Sequence, residues 1–486
     1  MPSRKVIAVG GILLSTFLAA SEATVIATAM PSVVADLGGL ELYGWVGAMY
    51  MLAMTVTIPI WGKMADLWGR KPVILAGIAT FLIGSAACGM APTMGTLIGA
   101  RVLQGIGGGG VQPIAMTIVG DMFAPKERAR MQGVFGAVWG VSAIVGPILG
   151  GVIVRAMSWR WVFYLNVPFG VLSMLLLGLA LGPRPTSVSG RRPIDFAGAA
   201  LLSVSVLALL AGVAGRWPAL LVPLSAIALV LFVIVERRQP EPLVPMDLMR
   251  QRVIAISSAI CVAIGGVMTG TVIYLPLFAQ SVFDASPAAA GATVAPMLVG
   301  WPLASALSGR ILLAVGARPL VRFGMSIVGV AAIALDVMLH RGASLDAIRV
   351  CMFVFGTGMG LASTANVITV QDSVPFQRRG VATASMMFFR TIGGAIAVGV
   401  LGAVLAHSLA GRVPENVLDA LLGPEHGKSL GAEAVRSYRG EMQAGMGPLF
   451  HILAIVGALG AIVSALYPRV HISEGGHEEA LPAAGE

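Results

Sequence analysis

"GKMADLWGRKP" occupies residues 62–72, between two apolar runs at 42–61 and 72–91. Each run has the length of about 20 residues that a helix needs to cross a bilayer. Four charges, Lys63, Asp66, Arg70 and Lys71, crowd into the stretch between them. Gly62 and Gly69 permit a tight turn. Asp66 can pair with Arg70 four residues on, or cap the start of the next helix. The stretch reads as a polar turn joining two antiparallel helices. A near copy, "GRILLAVGARP", stands at 309–319, with Gly, Gly and Pro at the same spacing.

The rest of the chain fits that reading. Of its 486 residues 57% are hydrophobic and only 11% are charged, with a mean hydropathy of +0.88. Soluble domains carry about 25% charged residues. The class is therefore an all-α polytopic membrane protein, which excludes a soluble enzyme and a nucleic-acid binder. Cys88, Cys261 and Cys351 all fall in apolar segments and imply no disulfide framework. Arg4 and Lys5 precede a run too long for a signal peptide, and many further spans follow it.

Apolar runs of the required length number about fourteen. They lie near 6–30, 42–61, 72–91, 95–119, 131–154, 161–181, 194–214, 217–235, 253–279, 287–308, 319–339, 346–370, 381–406 and 447–467. With the N-terminus inside, inside loops hold 21 of the 32 Lys and Arg and outside loops hold nine. That bias places both termini in the cytoplasm and accounts for the net charge of +9 without a polyanionic partner.

Two further echoes accompany the repeated turn. "RVLQGIGGGGVQP" from Arg101 matches "RVCMFVFGTGMGL" from Arg349, and "DMFAPKERAR" (121–130) matches "DSVPFQRRG" (372–380). Three matches in one order imply two repeated six-helix bundles. The spans at 194–235 are then two inserted central helices. The expected organisation is a six-helix bundle at 1–182, an insert and cytoplasmic linker at 183–251, and a second bundle at 252–472. The second bundle carries an outside loop at 407–446 with a short helix around Glu433–Met442, and residues 473–486 form a cytoplasmic tail. Such paired bundles are a transporter architecture, with sites near the midplane and halves that rock.

Ionisable residues within spans are functional by default. Glu22 lies about two-thirds of the way across its span, and Arg101 about six residues into a span that starts outside, so at 1.5 Å per residue their depths match. Burial favours protonation of the acid, whereas pairing with Arg favours its charge. A carboxylate that alternates between the two is a proton carrier. Arg390 lies near mid-membrane in another span, and Asp336, four residues before His340, reads as interfacial.

The pattern G-x-x-x-D-x-x-G-R-K in 62–72 resembles the signature loop of the major facilitator superfamily. The resemblance implies a latch formed by Gly62, Asp66, Gly69, Arg70 and Lys71, joined by Asp121 and Arg128 at the facing helix ends. "LIGARVLQGIGGGGVQP" resembles the family's fourth-span motif, in which the Arg, here Arg101, serves proton coupling. "GVFGAVWGVSAIVGPILGG" (133–151) presents small residues as one smooth face. Its Gly140, Gly146, Pro147, Gly150 and Gly151 resemble the family's antiporter motif, found in exporters. "SEATVIATAMP" resembles the first-span pattern of fourteen-span drug:H+ antiporters, with Glu22 where Asp is usual.

The resemblance implies a proton-driven exporter of lipophilic, often cationic compounds, multidrug efflux with a role in antibiotic resistance. The alternative cargo is lipid or another amphiphile. Thr24, Gln104, Gln112, Met268, Met359, Asn366 and Arg390 are the expected cavity lining, and the 25 Met suit varied substrates. The proton gradient drives it, without cofactor, metal or nucleotide, since no Gly-Lys-Ser/Thr follows the glycine run. The six His are too scattered for a membrane-embedded protease or acyltransferase. The expected setting is a monomer in a bacterial inner membrane, in contact with lipid, protons and small lipophilic substrates.

Overall fold

The computed structural model describes residues 4–38, 42–182, 195–213, 217–239, 242, 246–283, 285, 287–409 and 432–470. Every long regular element among them is a helix. First come α1 (Arg4–Leu37), α2 (Tyr43–Trp68), α3 (Arg70–Gly89), α4 (Met94–Met122), α5 (Pro125–Ala156), the short α6 (Arg160–Tyr164) and α7 (Asn166–Ala180). Next are α8 (Phe196–Val213), α9 (Pro218–Glu236) and the short α10 (Met246–Arg250). The second half holds α11 (Arg252–Phe283), the short α12 (Pro287–Gly291), α13 (Ala295–Val315), α14 (Ala317–His340), α15 (Leu345–Asp372), α16 (Arg379–Leu409) and α17 (Ala432–Ser464). Helices are the expected solution, because hydrocarbon leaves each segment to satisfy its own backbone.

Among the described residues twelve helices are long and apolar enough to cross a membrane. The 32-residue α5 and 18-residue α8 are not in that set, and some of their side chains lie outside the described residues.

The helices start and stop where local chemistry dictates. Gly69 (φ +87°) separates α2 from α3, and Gly316 (φ +84°) separates α13 from α14. Each turns the chain in one residue, at a dihedral that side chains with a Cβ resist. Thr93 caps α4, its hydroxyl accepting from the Thr96 N–H, and Ser344 caps α15, accepting from the Ala347 N–H.

The packing pattern repeats as well. In the first half α1 packs on α5 and α7, α2 on α4, and α3 on α4 and α7. In the second half α11 packs on α16 and α17, α13 on α15, and α14 on α15 and α17. The two patterns correspond helix for helix. The halves meet chiefly through α5 against α13 and α2 against α16, again a matched pair. Helices α8 and α9 pack mainly on each other, and α8 also touches α2 and α16. Ser205 donates to the Ser225 carbonyl between them at 3.0 Å, and the Asp195 carboxylate accepts from the Gly198 N–H to cap α8.

Three expectations need correction. Gly62 lies inside α2, one and a half turns before its end, and makes no turn. Arg101 and Arg349 are not equivalent: α14 has 24 residues against 20 in α3, so the following helix starts later in register. Arg349 is the fifth residue of α15 and pairs with Asp346 at 2.6 Å. The short helix around Glu433–Met442 is the start of α17, which runs unbroken to Ser464. Residues 410–431, 183–194 and the tail 473–486 lie outside the described residues.

Candidate functional site

The first half encloses a polar network in an otherwise apolar interior. Glu22 on α1 and Arg101 on α4 form an ion pair through Oε1 and Nη1, with the two residues 3% and 1% exposed. Arg101 Nη1 also donates to Gln104 Oε1 (2.6 Å), and its Nε donates to the Val46 carbonyl (3.2 Å). Asn166, at the start of α7, donates to the second Glu22 oxygen at 2.7 Å and to Ser85 Oγ at 2.9 Å. Ser85 on α3 also accepts from Gln104 and donates to the Phe163 carbonyl. The guanidinium lies over the Tyr50 ring, 4.2 Å from its centroid.

This arrangement meets the condition under which a buried pair is tolerable. Each ion has its partner, the second Glu22 oxygen accepts from Asn166, and Arg101 donates further to Gln104 and the Val46 carbonyl. Sequence reading placed Glu22 and Arg101 at one depth but missed Asn166 and Ser85. The available signal was two small polar residues in apolar runs, which also describes ordinary helix packing. Gln104 belongs to this network; fully buried, it lines no cavity.

The second half has a neutral polar cluster of its own, close to the end of α15. Asn366 donates to the Ser257 carbonyl (3.2 Å) and accepts from the Tyr467 hydroxyl (3.1 Å), with Cys261 Sγ at 3.6 Å. Asn366 and Met359 are fully buried, so the cavity-lining expectation fails for both in this conformation. Met268 packs half-buried against the second core. Gln112 is half-buried, and Arg390 holds its guanidinium 5.9 Å from the centroid of Trp301. The side chains of Thr24 and Pro147 lie outside the described residues.

A second cluster joins the halves at the end of the molecule where α2, α4 and α13 finish. Asp66 accepts from the Gly380 and Val381 N–H groups at 2.9 and 2.7 Å, capping α16 from across the interface. It also pairs with Arg70 at 2.8 Å. Arg70 reaches Asp121 (3.1 Å) and donates to the Phe376 carbonyl (2.9 Å). Arg128 pairs with Asp372 at 2.5 Å, and Arg379 approaches Asp121 at 3.6 Å. These two pairs are reciprocal. Each half carries an Asp and, seven residues on, an Arg: Asp121 and Arg128, Asp372 and Arg379. Each Asp meets the other half's Arg. Asp372 and Arg379 were missed as site residues, although the echo between 121–130 and 372–380 held the signal. Lys71 stands apart from the cluster; it donates to the Gly178 carbonyl of α7 within its own half.

Glycine sets the closeness of the halves here. A methyl at Gly62 would overlap Ala384 and lie 3.0 Å from the Gly380 carbonyl oxygen, and one at Gly309 would lie 2.5 Å from the Ala129 methyl. The small-residue face of α5 divides into two. Gly133, Gly136 and Gly140 meet Pro302 and Leu298 of α13, while Gly150 meets Thr28 and Val25 of α1. Gly146 is buried, and Gly151 has open space where a Cβ would stand.

Two pseudo-equivalent helical halves, a buried ion pair in one and a polar clasp between them define a membrane transporter. The family profile described as Major Facilitator Superfamily matches residues 12–398, and the chain belongs to that family. It is 35% identical over 412 residues to "Multidrug transporter protein MdtP" of Bacillus subtilis (strain 168), covering 83% of this chain and 76% of that protein. It is also 35% identical over 408 residues to "Multidrug resistance protein 3" of the same organism, covering 81% and 78%. The fold is shared with the human organic anion transporter MFSD10 at a TM-score of 0.66 and 15% identity, over 96% of this chain and all of that one.

Proposed function

We propose that the protein is a proton-coupled exporter of lipophilic, often cationic compounds, working by alternating access in a bacterial inner membrane. The observation that carries this reading is the Glu22–Arg101 pair, sealed inside one half with Asn166, Gln104 and Ser85. An isolated carboxylate in hydrocarbon is costly. If rocking of the halves parts Glu22 from Arg101, protonation relieves that cost, and re-pairing expels the proton. A cationic substrate competes with that proton for the same carboxylate. The resemblance of 133–151 to the antiporter motif, and relatives named for multidrug transport, support export.

In this reading α5 and α8 also span the bilayer, giving fourteen spans with α8 and α9 as the insert. Both termini are cytoplasmic, so the Asp66 end is the cytoplasmic end. Asp66, Arg70, Asp121 and Arg128 then close the cytoplasmic end in this conformation. The exporter acts as a monomer, without cofactor or metal in its transport cycle.

The test is substrate-induced proton movement in everted vesicles, wild type beside Glu22→Gln, with a panel of lipophilic cations. The wild type releases lumenal protons when a cation is added, and the variant does not. Equal responses overturn the role of Glu22. If no cation evokes a response, the drug reading falls, and labelled lipid becomes the cargo to test.

A further inference from the structure

Outside these sites, the second half gathers three metal-ligating side chains at the end opposite Asp66. Asp336 and His340 lie one turn apart on α14, and His451 faces them from α17. One donor atom from each falls within 4.8 Å of the other two. Asp336 is 9% exposed, and its Oδ2 lies 2.6 Å from His451 Nδ1. Its Oδ1 is buried and makes no hydrogen bond. His340 Nδ1 comes within 3.2 Å of that oxygen but is engaged with the Asp336 carbonyl at 2.9 Å. The two imidazoles stack, with centroids 4.5 Å apart and planes 2° from parallel. Sequence reading took Asp336 as an interfacial residue; the structure buries it against two histidines.

We infer that Asp336, His340 and His451 form a binding site for a divalent transition metal, with zinc the best match. Two imidazoles and one carboxylate are borderline donors that suit Zn2+ and do not suit Mg2+ or Ca2+. In a tetrahedral zinc site with ligands about 2 Å from the ion, neighbouring ligand atoms lie roughly 3.3 Å apart. The spacings here need only side-chain rotation to reach that value. The ion uses the unbonded Oδ1, and water takes the fourth position. His340 and His451 side chains are 41% and 56% exposed, so protein encloses the site on one side only. The metal ties α14 to α17 within one half, so it stiffens that half and leaves the interface between halves free.

The experiment is zinc titration of the full chain in detergent by calorimetry, with Co2+ absorption as the second probe. The expected result is one Zn2+ per chain and a tetrahedral Co2+ spectrum without thiolate charge-transfer bands, since all three Cys are elsewhere. His451→Gln, a half-exposed position where folding is not at stake, weakens binding more than about tenfold, the least that losing even an outer-shell partner costs. His340→Gln/His451→Gln removes the site, and His471→Gln/His477→Gln in the tail leaves it intact. The inference is overturned if wild type binds no zinc, if the His340/His451 variant keeps its stoichiometry, or if the tail variant abolishes binding.

Discussion

The two halves share one helix-packing plan but use different interiors. The first buries an ion pair, Glu22 with Arg101, in a network spread over α1, α3, α4 and α7. The second buries its polar groups nearer the Asp66 end and keeps them neutral: Asn366, Ser257, Cys261 and Tyr467. The same contrast recurs at the interface. Asp66 of the first half caps α16 of the second. The copy at 309–319 has Leu313 and Ala317 where Asp66 and Arg70 stand, and the start of α5 is capped by its own Glu127 at 3.4 Å. The packing plan therefore needs only apolar patterning and glycine. The Asp66–Arg70 pair stands on one side only, where it holds the two halves together.

The largest effect is expected from breaking the ion pair. Arg101→Met leaves Glu22 buried without its cation and costs about 3–5 kcal/mol. Asn366→Ala in the neutral network costs roughly 1–3 kcal/mol. Unfolding in detergent compares them, and equal losses would erase the distinction between the interiors.

A smaller effect follows at the clasp. Asp66→Asn removes the charge that caps α16 and pairs with Arg70; the pair is buried, but Arg70 keeps Asp121 and the amide oxygen still caps, so the loss stays below about 3–5 kcal/mol. Spin labels across this end should report a population with the end opened. The reciprocal graft is Leu313→Asp alone, because Ala317 is buried in the core with no room for Arg; it should leave that population unchanged, since the start of α5 already has its own Glu127. A graft as strong as the native clasp would show that the asymmetry is incidental.

The most local test uses glycine. Gly62→Ala and Gly309→Ala both push the halves apart at matched places, at about 1–3 kcal/mol for overpacking. Gly151→Ala, which meets open space, should move stability by at most about 1 kcal/mol, the helix propensity difference. Loss of cross-linking between α2 and α16 in the first variant, and between α5 and α13 in the second, is the readout.

Much of this was legible in the sequence, because membrane helices announce themselves by length and hydropathy. The repeated turn at 62–72 and 309–319 identified the pseudo-symmetry, and both copies adopt the same positive φ at their second glycine. Depth arithmetic brought Glu22 to Arg101. It could not supply Asn166 or Ser85, since a lone polar residue gives no clue to which neighbour it faces. Gly62 was misread because hydropathy falls at Lys63, while α2 runs on to Trp68 with Lys63 buried. Gln104, Met359 and Asn366 were misassigned for a similar reason: periodicity names a face of a helix but not whether water or another helix lies beyond it.

The reciprocal pairs, Asp121 with Arg379 and Asp372 with Arg128, have one more consequence. Each half offers the same acid and the same base, and each receives what it offers. That is the rule of an isologous contact between two identical subunits. The two crossed pairs thus repeat the pattern of a homodimer interface within one chain, to which Arg70 adds a contact of its own with Asp121. Once fused, the copies no longer had to remain alike. Leu313 and Ala317 mark a place where the two copies differ, one carrying charge and the other none.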